Sequence, residues 1–409
     1  MKRYDIIVIG GGAAGLMAAA GAGGDGRKVA ILEKMSRPGR KIMITGKGRC
    51  NVTNDCTQEE VLRNVPRNGR FLYSAMAACP PKAAMDFFES NGCMLKTERG
   101  NRVFPVSDKS QSVLECLKNA LKAHDVTVKT ARVQEILTEN DAVIGVKTER
   151  EIISCHWAIL ATGGLSYPTT GSTGDGYRMA EKMGHTITEC QGSLVPLETA
   201  GEDCPDMQGL SLRNVAVKLI NEKGKVLYKD FGELLFTHFG VSGPTVLSAS
   251  AHLKGKCRLV IDLKPALEES KLDARLLRDL NMYRNRAMEN ALTDILPRSM
   301  IPVVLRRLQI DPSMQANSLT KQQRRALIVL MKGFSVDIVG KRPVEEAIIT
   351  SGGVKVSEVE PKTMQSKLVK GLFFAGEILD CDGYTGGFNL QIAWATAYAA
   401  GMAAANSKR

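Results

Sequence analysis

The sequence predicts an α/β protein built around a doubly wound parallel sheet. Two apolar runs with strand character, residues 4–9 and Val29–Glu33, flank an alanine-rich helical run, Ala13–Ala22, and glycines fill the turn before that helix. Together these segments span about 30 residues, the size of a βαβ unit. With 409 residues, the chain also exceeds the size of one hydrophobic core, so more than one domain is expected.

Further along the chain, the pattern of apolar residues changes to antiparallel β and then to helical. Alternating segments on either side of an Asn-Glu-Lys-Gly turn predict a hairpin, and prolines punctuate the helical stretch that follows. The predicted elements after the first βαβ unit are a helix at 110–124, strands at 126–129, 157–160, 214–220, 225–228 and 258–263, helices within 268–332, a strand at 372–375 and a long helix at 388–405. The predicted domains are residues 1–190 and 346–409 for a dinucleotide-binding domain, 191–266 and 334–345 for a β insert, and 267–333 for a helical insert.

The composition is that of an ordinary globular protein. Hydrophobic residues make up 44% of the chain and charged residues 24%, and an aromatic content of 5% argues against a lectin-like or aromatic-cage binding site. Seven glycines interrupt the uncharged stretch at residues 6–24, so neither a signal peptide nor a membrane span is predicted there. We therefore expect a cytoplasmic protein without a membrane partner.

The spacing of cysteines and histidines argues against a metal centre. The ten cysteines include no CxxC pair, and we expect them to be reduced thiols rather than disulfides or iron–sulfur ligands. The five histidines show no HxH or HExxH spacing. No metal-ligating residue is predicted.

The chain is basic, with a formal net charge of +12. Its Lys and Arg residues are scattered, and the short basic runs at 37–41 and 321–325 contain no aromatic residue. This scatter disfavours a nucleic-acid partner but leaves one open, because a nucleic-acid site concentrates positive charge on one face. A small-molecule substrate is expected, and the sequence does not fix the oligomeric state.

A dinucleotide fingerprint lies at the start of the chain. Gly10, Gly12 and Gly15 have GxGxxG spacing between a predicted strand and helix, and Glu33 ends the next strand. Such glycines allow a tight turn, a close approach of a pyrophosphate and close helix packing, while the acidic residue accepts hydrogen bonds from a ribose. The neighbouring residues that complete this predicted site are Ala13, Ala14 and Lys34. A second match, at 21–26, follows a helix rather than a strand and is interpreted as a helix end.

The fingerprint alone leaves FAD and NAD open. Two other apolar strands, at 159–164 and 373–377, end in small-residue turns of the kind that lie against FAD in two-dinucleotide-type flavoproteins, although each is also compatible with an ordinary loop. The last predicted helix opens after two glycines, and its free N–H groups would stabilise negative charge on a flavin ring or serve only a turn. The residues that these features add to the predicted site are Ala161, Thr162, Gly163, Gly164, Gly376, Glu377, Gly386, Gly387, Phe388, Asn389 and Leu390.

Three longer motifs carry a family resemblance. They are ITGKGRCNVTN at residues 44–54, LLFTHFGVSGP at 234–244 and the segment 376–389, which begins GEILD. On these motifs, the chain resembles the HI0933-like flavoproteins, which include aminoacetone oxidase-like and bile-acid 4,6-reductase-like FAD-dependent oxidoreductases. The resemblance covers nearly the whole chain. It implies a two-dinucleotide-type FAD-binding Rossmann-like domain made from both chain ends, with inserted β-barrel-like and helical domains.

The resemblance also implies further cofactor contacts. A loop is expected to run along the FAD, the backbone of Val133 to meet the adenine, and the loop at 172–176 to lie near the flavin. For Cys50, packing as a small buried thiol is favoured over a cofactor contact. The residues added by the resemblance are Arg40, Lys41, Thr45, Gly46, Gly48, Arg49, Cys50, Asn51, Val133 and Asp382.

Two side chains are candidate proton donors. The resemblance places the loop of His238 in an inserted domain that faces the flavin, and an imidazole side chain is a common general acid. A histidine that only fixes its own loop is the alternative. Tyr384 is the second candidate, with packing as its alternative role.

The predicted function is hydride transfer through flavin N5. The favoured reaction is reduction of an activated C=C, as in a 3-oxo-Δ4 steroid or bile-acid-like substrate, with NAD(P)H as a transient co-substrate because the chain contains no second strand–GxGxxG–helix unit. An amine oxidase that acts on aminoacetone-like substrates with O₂ is an alternative. A flavoprotein that binds or modifies RNA, and an FAD-binding regulator without turnover, are alternatives of other classes.

Overall fold

The computed structural model describes residues 2–24 and 26–408, which form two compact units. One unit comprises the residues up to Ser193 together with those from Val344 onward, and the other is Leu194–Pro343. The first unit therefore contains both ends of the chain.

A five-stranded parallel sheet forms the centre of the first unit, as the sequence predicts. From one edge to the other, its strands are Leu372–Phe374, Trp157–Leu160, Ile6–Ile9, Val29–Glu33 and Thr127–Thr130. Their side chains are buried on both faces except at the Thr127–Thr130 edge, which is typical of a sheet covered by helices. The α/β fold class is confirmed.

The first strand is shorter than predicted. It begins at Ile6 because the residues before it pair elsewhere: Lys2 and Arg3 pair with Ile153 and Ser154 in a smaller sheet, and the Tyr4 amide donates to the Ser154 carbonyl (3.0 Å). The helix Ala13–Ala22 has the predicted bounds.

The two alanine-rich helices, Ala13–Ala22 and Phe388–Asn406, pack against each other. A Cβ at Gly401 would lie 2.3 Å from the Ala18 carbonyl oxygen, and a Cβ at Gly21 would contact Tyr398 at 3.8 Å. Small residues therefore bring the two backbones together, which explains why both helices are rich in Ala and Gly.

Smaller sheets and several helices complete the first unit. Its additional strands are Lys2–Arg3, Ile152–Ser154, Ala142–Thr148 and Val133–Glu139 in one sheet, Thr53–Asn54, Arg102–Pro105 and Leu95–Glu98 in a second, and Ile187–Ser193 with Ile349–Val354 in a third. Its other α-helices are Arg40–Ile44, Gln58–Arg63, Tyr73–Ala78, Pro81–Ser90, Ser110–Ala123 and Asp175–Lys182.

The second unit combines a closed barrel with helices, in agreement with the predicted fold class. Around the barrel, the strands are Leu197–Thr199, Gly240–Ser242, Val226–Thr237, Ser211–Asn221, Cys257–Asp262 and Phe334–Lys341. The helices are Asp203–Asp206, Pro244–Ser250, Glu269–Met282, Met288–Ala291, Ile301–Leu308 and Lys321–Lys332. The hairpin strands are longer than predicted. A bulge at Asn214 (φ +57°) shifts the strand pairing, and it interrupts the alternation of apolar and polar residues from which the strand length was predicted.

All ten cysteines are free thiols. Within residues 2–24 and 26–408, no three His, Cys, Asp or Glu side chains are grouped as metal ligands. Over the same residues, no helix combines the length and the apolar character needed to cross a bilayer.

His185 is a buried polar group in the first unit. Its ring packs edge-on against Phe374 (centroids 4.8 Å apart), Nε2 lies 2.8 Å from Ser366 Oγ, and Nδ1 lies 3.4 Å from a Glu358 oxygen. Ser366 Oγ already accepts from the amides of Leu368 and Val369, so its hydroxyl donates to Nε2 and the ring proton lies on Nδ1. Burial lowers the pKa of His185 and outweighs the opposite effect of Glu358.

The lowered pKa of His185 predicts that the protein loses stability in mild acid. The unfolded histidine binds a proton near pH 6.5, while the folded one resists it, so the stabilisation is present above that pH and is lost as pH falls. One such proton changes the free energy of unfolding by at most about 1.4 kcal/mol per pH unit. Urea unfolding at pH 7.5 and 5.5 tests this, and we expect a shallower pH dependence for His185→Gln than for the natural chain. An equal dependence in both proteins would contradict the prediction.

Candidate functional site

An open cavity lies where the parallel strands of the first unit end. It encloses about 1350 Å³ of empty space, including the solvent at its mouth. Ile9, Leu32 and Ala161 line it at the carboxyl ends of three neighbouring strands, where open α/β sheets bind their ligands. The predicted site residues that line the cavity are Gly10, Gly12, Ala13, Ala14, Glu33, Lys34, Arg40, Lys41, Thr45, Val133, Ala161, Thr162, Gly163, Glu377, Asn389 and Leu390.

The three fingerprint glycines have different surroundings. Gly10 has a φ of +101°, and a Cβ there would lie 2.6 Å from the Ala161 carbonyl oxygen. A Cβ at Gly15 would lie 1.8 Å from the carbonyl oxygen of Gly10, so this glycine allows the helix to pack against the turn. At Gly12, a Cβ would meet no atom within 4 Å. Nothing in the protein fold therefore requires a glycine at position 12, whereas a ligand that approaches the backbone there would.

Glu33 is fixed beside this turn. One carboxylate oxygen accepts a hydrogen bond from the Gly11 amide (2.6 Å), and the other accepts from the Met35 amide (2.7 Å). Each oxygen retains a free lone pair, so the carboxylate can also accept hydrogen bonds from ligand hydroxyls.

Lys34 forms an ion pair at the cavity wall. Its ammonium donates to Asp175 (2.7 Å) and to Thr173 Oγ1 (2.5 Å), at the start of the helix Asp175–Lys182. Burial raises the pKa of Asp175, but the hydrogen bond from Lys34 and the nearby arginines outweigh it, so this pKa is lowered overall. The loop at 172–176 therefore contacts the cavity through a charged pair, in which Asp175 is a partner that the sequence did not single out.

Lys41 and Glu377 form the centre of a second polar group, which joins four separate chain segments. Lys41 Nζ donates to Glu377 Oε2 (2.7 Å) and to Ser166 Oγ (2.6 Å). Glu377 Oε1 accepts from Ser166 Oγ (2.9 Å) and from the Thr350 amide (2.9 Å). Thr350 Oγ1 in turn accepts from the Leu165 amide (2.7 Å). The carboxylate of Glu377 thus fixes the cavity wall.

The predicted cofactor loop at 40–51 lines the cavity only in its first part: Arg40, Lys41 and Thr45 belong to the lining, whereas residues 46–51 do not. Gly46, Gly48 and Cys50 all have positive φ, and the Cys50 thiol is fully buried, which raises its pKa to about 12. Arg49 points to other partners: it donates to Asp108 (Nε, 2.8 Å) and pairs with Glu98. Asn51 Oδ1 is buried and has no hydrogen-bond partner among the described residues. Packing is therefore the role that the structure supports for Cys50.

The start of the last helix is held by the segment that follows this loop. Gly387 caps the helix with a φ of +101°, and a Cβ there would lie 2.4 Å from the Thr53 carbonyl oxygen. Asn54 donates to the Gly386 carbonyl (3.0 Å), and Phe388 is buried in the core. Asn389 lines the cavity but uses its amide to hold the preceding loop, through hydrogen bonds to Gly383 N and O (2.7 and 2.8 Å). Gly164 and Gly376 do not line the cavity. A Cβ at Gly164 would lie 2.3 Å from Thr350, and a Cβ at Gly376 would lie 2.6 Å from Ala14.

Asp382 is buried beside the cavity wall without lining it. It accepts hydrogen bonds from Ser193 Oγ (2.8 Å) and Ser351 Oγ (2.9 Å). Burial raises the pKa of this carboxyl, and the two serine hydroxyls offset only part of that effect. Its neighbour Cys381 does line the cavity, and burial raises the pKa of its thiol as well.

The two predicted proton donors differ in exposure. His238 is exposed in the second unit, at the turn between two barrel strands, where its ring contacts Phe239 edge-on (5.0 Å). Tyr384 is half-buried in the first unit, and its backbone amide donates to the Asn64 carbonyl (2.9 Å).

The cavity also contains residues that the sequence did not single out. Ile348 and Ile349 come from the segment that re-enters the first unit, and Met179 comes from the helix that follows the loop at 172–176. No local motif marks them, because their positions depend on how the third small sheet packs. Gly39 could have been found, since it follows Pro38 in a turn and has a φ of +73°.

The residues present fit a bound dinucleotide. The open approach at Gly12, the N-terminus of the helix Ala13–Ala22 and the acceptor Glu33 match the parts of such a ligand, and the buried hydroxyl of Thr162 has no partner among the described residues.

The chain is similar to known proteins along almost its whole length. The model of the HI0933-like protein Rossmann domain matches residues 4–403. The chain is 33% identical to a 3-dehydro-bile acid delta(4,6)-reductase of Clostridium scindens, over 97% of this chain and 98% of that protein. It is 30% identical to a ribosomal RNA dihydrouridine synthase of Escherichia coli, over 98% of this chain and 97% of that protein.

Solved structures share the fold. A 3-ketosteroid delta1-dehydrogenase from Sterolibacterium denitrificans matches with a TM-score of 0.55 and 14% identity, over 100% of both chains. A 3-ketosteroid-delta4-(5alpha)-dehydrogenase from Rhodococcus jostii matches with a TM-score of 0.50 and 15% identity, over 99% of this chain and 97% of that one.

Proposed function

The chain belongs to the HI0933-like family of FAD-dependent oxidoreductases, and from this premise we propose that it is an NAD(P)H-linked reductase of a C=C bond conjugated to a carbonyl. The favoured substrate is a 3-oxo-Δ4 steroid or a bile-acid-like compound. The observation that carries the proposal is the open backbone at Gly12, in a chain similar along almost its whole length to a bile-acid reductase.

The residues around the cavity have distinct proposed roles in holding FAD. The amides of the Gly10 to Gly12 turn and the N-terminus of the helix Ala13–Ala22 hold the pyrophosphate, because both present N–H groups to an anion. Glu33 binds the ribose, and Val133 lies at the adenine end. The pair Lys41–Glu377 orients the wall against which the rest of the ligand packs.

Bound FAD supplies hydride transfer, and the chain's own residues supply the proton. Reduction of a conjugated C=C adds hydride to one carbon and a proton to the other, while NAD(P)H is oxidised to NAD(P)⁺. His238 and Tyr384 are the proposed proton donors. His238 is exposed and can take up its next proton from water.

The names of the relatives favour a reductase over an amine oxidase. One is a reductase of a conjugated steroid, and the other makes dihydrouridine, which differs from uridine by two hydrogens across a ring C=C next to a carbonyl. Both names describe the same type of reduction.

Anaerobic mixing of the FAD-loaded protein with NADH or NADPH tests this function. We expect the visible absorption of the flavin to bleach, and to return when a 3-oxo-Δ4 steroid is added without oxygen. Bleaching by aminoacetone, with recovery only in air, would overturn the reductase in favour of the oxidase. A protein that takes up no FAD would overturn both.

Variants separate the two halves of this reaction. His238→Gln and Tyr384→Phe are each tested for bleaching by NAD(P)H and for recovery with the steroid. If the replaced residue is the proton donor, its variant should slow recovery of the flavin absorption about 10²-fold or more and leave bleaching unchanged. Equal slowing of both steps would indicate a structural role. His124→Gln is a suitable control, because this histidine is exposed at a helix end.

A uracil base in ribosomal RNA is the second candidate substrate. Two features favour it: the relatedness to ribosomal RNA dihydrouridine synthase and the net charge of +12. Incubation of the protein and NAD(P)H with unmodified ribosomal RNA, followed by nucleoside mass spectrometry, distinguishes the substrates. Dihydrouridine formation without steroid reduction would identify ribosomal RNA, rather than a steroid, as the substrate.

A further inference from the structure

One end of the barrel in the second unit concentrates positive charge. Six exposed lysines lie on three neighbouring strands and their connections. We call this surface the basic barrel end, and its residues are Lys218, Lys223, Lys225, Lys229, Lys254 and Lys256. Their concentration differs from the scatter that the linear sequence suggests, because the strand pairing brings residues 218–229 next to residues 254–258.

Two of these lysines are directly opposite each other. In the antiparallel pair Ser211–Asn221 and Val226–Thr237, Lys218 is the cross-strand partner of Lys229. Like charges at such positions repel and destabilise a sheet. No described acidic side chain lies within 4.0 Å of either ammonium to neutralise it. The fold itself gains nothing from this arrangement, whereas an anionic partner would.

The other four lysines flank the hairpin turn. Lys223 and Lys225 lie in the turn, and Asn221 pairs with Cys257, which brings Lys254 and Lys256 beside it.

Nearby acidic side chains reduce this charge only in part. Asp230 accepts from the Tyr228 hydroxyl (2.9 Å) and the Phe231 amide (2.7 Å), and Asp337 pairs with Arg258 (2.8 Å). Glu222 and Glu233 are the exposed carboxylates of the hairpin.

An exposed aromatic ring lies next to the opposed lysines. Phe231 is 56% exposed and is two residues beyond Lys229, so both side chains project from the same face of the strand. Its cross-strand partner is Ala216, which leaves the ring uncovered by a neighbouring side chain on that strand. An exposed aromatic ring among lysines on a sheet surface is the combination that binds single-stranded nucleic acid, by base stacking and phosphate contacts.

We propose that the basic barrel end is a docking surface for single-stranded RNA, in which the lysines contact phosphates and Phe231 stacks on a base. This inference rests on the second candidate of the proposed function and extends it, because it assigns RNA recognition to a surface of the second unit. RNA fits better than an acidic protein, since regularly spaced phosphates match lysines on adjacent strands and bases match the exposed ring.

Fluorescence anisotropy with a labelled 20-nucleotide RNA of mixed sequence tests the proposal on the full-length, FAD-loaded protein. The variant Lys218→Gln/Lys229→Gln/Lys254→Gln/Lys256→Gln should bind at least about tenfold more weakly at 0.1 M salt. It should also flatten the slope of log K against log salt by about 3, because each phosphate contact contributes about 0.7 for single strands. Phe231→Ala should weaken binding about fivefold or more without changing that slope.

A charge-matched control separates this surface from general electrostatics. Lys118, Lys122, Lys147 and Lys362 are exposed lysines of the first unit that form no ion pair among the described residues. Replacing all four with Gln changes the net charge by the same amount and should leave RNA binding within about twofold of the natural chain. Equal weakening by both quadruple variants, or by neither, would overturn the proposal. Preferential binding of an acidic peptide over the RNA would assign the surface to a protein instead.

The binding experiment is independent of the proposed reaction. It needs no NAD(P)H and no turnover, so failure of the reductase leaves it interpretable. Conversely, unaltered steroid reduction by the quadruple lysine variant, together with absent RNA binding in the natural chain, would refute the docking surface alone.

Discussion

Replacing Gly12 with Ala is expected to abolish FAD binding while leaving the apoprotein folded. The backbone at Gly12 has φ −79° and ψ −168°, which alanine adopts without strain, and the added methyl group would meet no protein atom within 4 Å. The methyl group would instead occupy the space through which a pyrophosphate approaches the turn. We expect at least a 100-fold loss of FAD affinity, and a free energy of unfolding of the apoprotein within about 1 kcal/mol of the natural chain.

Gly15→Ala gives the matched comparison. Its methyl group would overlap the Gly10 carbonyl oxygen at 1.8 Å, so the helix must move away from the turn. Overpacking of this kind costs about 3 kcal/mol. Urea unfolding of the apoproteins and fluorescence titration with FAD measure the two quantities separately. A Gly12→Ala protein that still binds FAD tightly would show that the turn does not hold the pyrophosphate.

The different roles of these glycines illustrate what sequence could and could not predict. Spacing between a strand and a helix was enough to locate the turn, and the helix Ala13–Ala22 has the bounds that its alanine run predicts. The same spacing could not distinguish Gly12 from Gly15, because the difference lies in which backbone atoms pack against each position.

The other parts of the cavity depend on long-range packing. Lys41, Ser166, Thr350 and Glu377 are far apart in sequence and meet only because the parallel sheet and the small sheet at Ile349–Val354 assemble around them. Arg49 lies in a motif that resembles a cofactor loop, yet it pairs with Glu98 and Asp108, which no local pattern links to it. Local periodicity therefore predicts elements and turns, whereas the partners of charged side chains follow from the assembled sheets.

Glu377→Gln is expected to destabilise the cavity wall and weaken FAD binding. All the groups around this carboxylate donate hydrogen bonds: the Lys41 ammonium, the Ser166 hydroxyl and the Thr350 amide. An amide of the same shape must turn its NH₂ group toward at least one of these donors, so a hydrogen bond is replaced by a repulsive contact. The carboxylate is only 14% exposed, so water cannot compensate fully, and we expect a loss of about 2–3 kcal/mol in the free energy of unfolding.

Glu198→Gln is the control for this change, because Glu198 pairs with Arg342 (2.9 Å) but is 35% exposed in the second unit. Solvent screening makes such a pair worth about 0.5 kcal/mol, so its loss should be small. Urea unfolding of both apoproteins, with FAD titration alongside, measures the difference. If the two variants lose equal stability, the Glu377 group does not organise the wall. If Glu377→Gln has the lower free energy of unfolding of the two variants but binds FAD normally, the cavity wall supports the fold without orienting the cofactor.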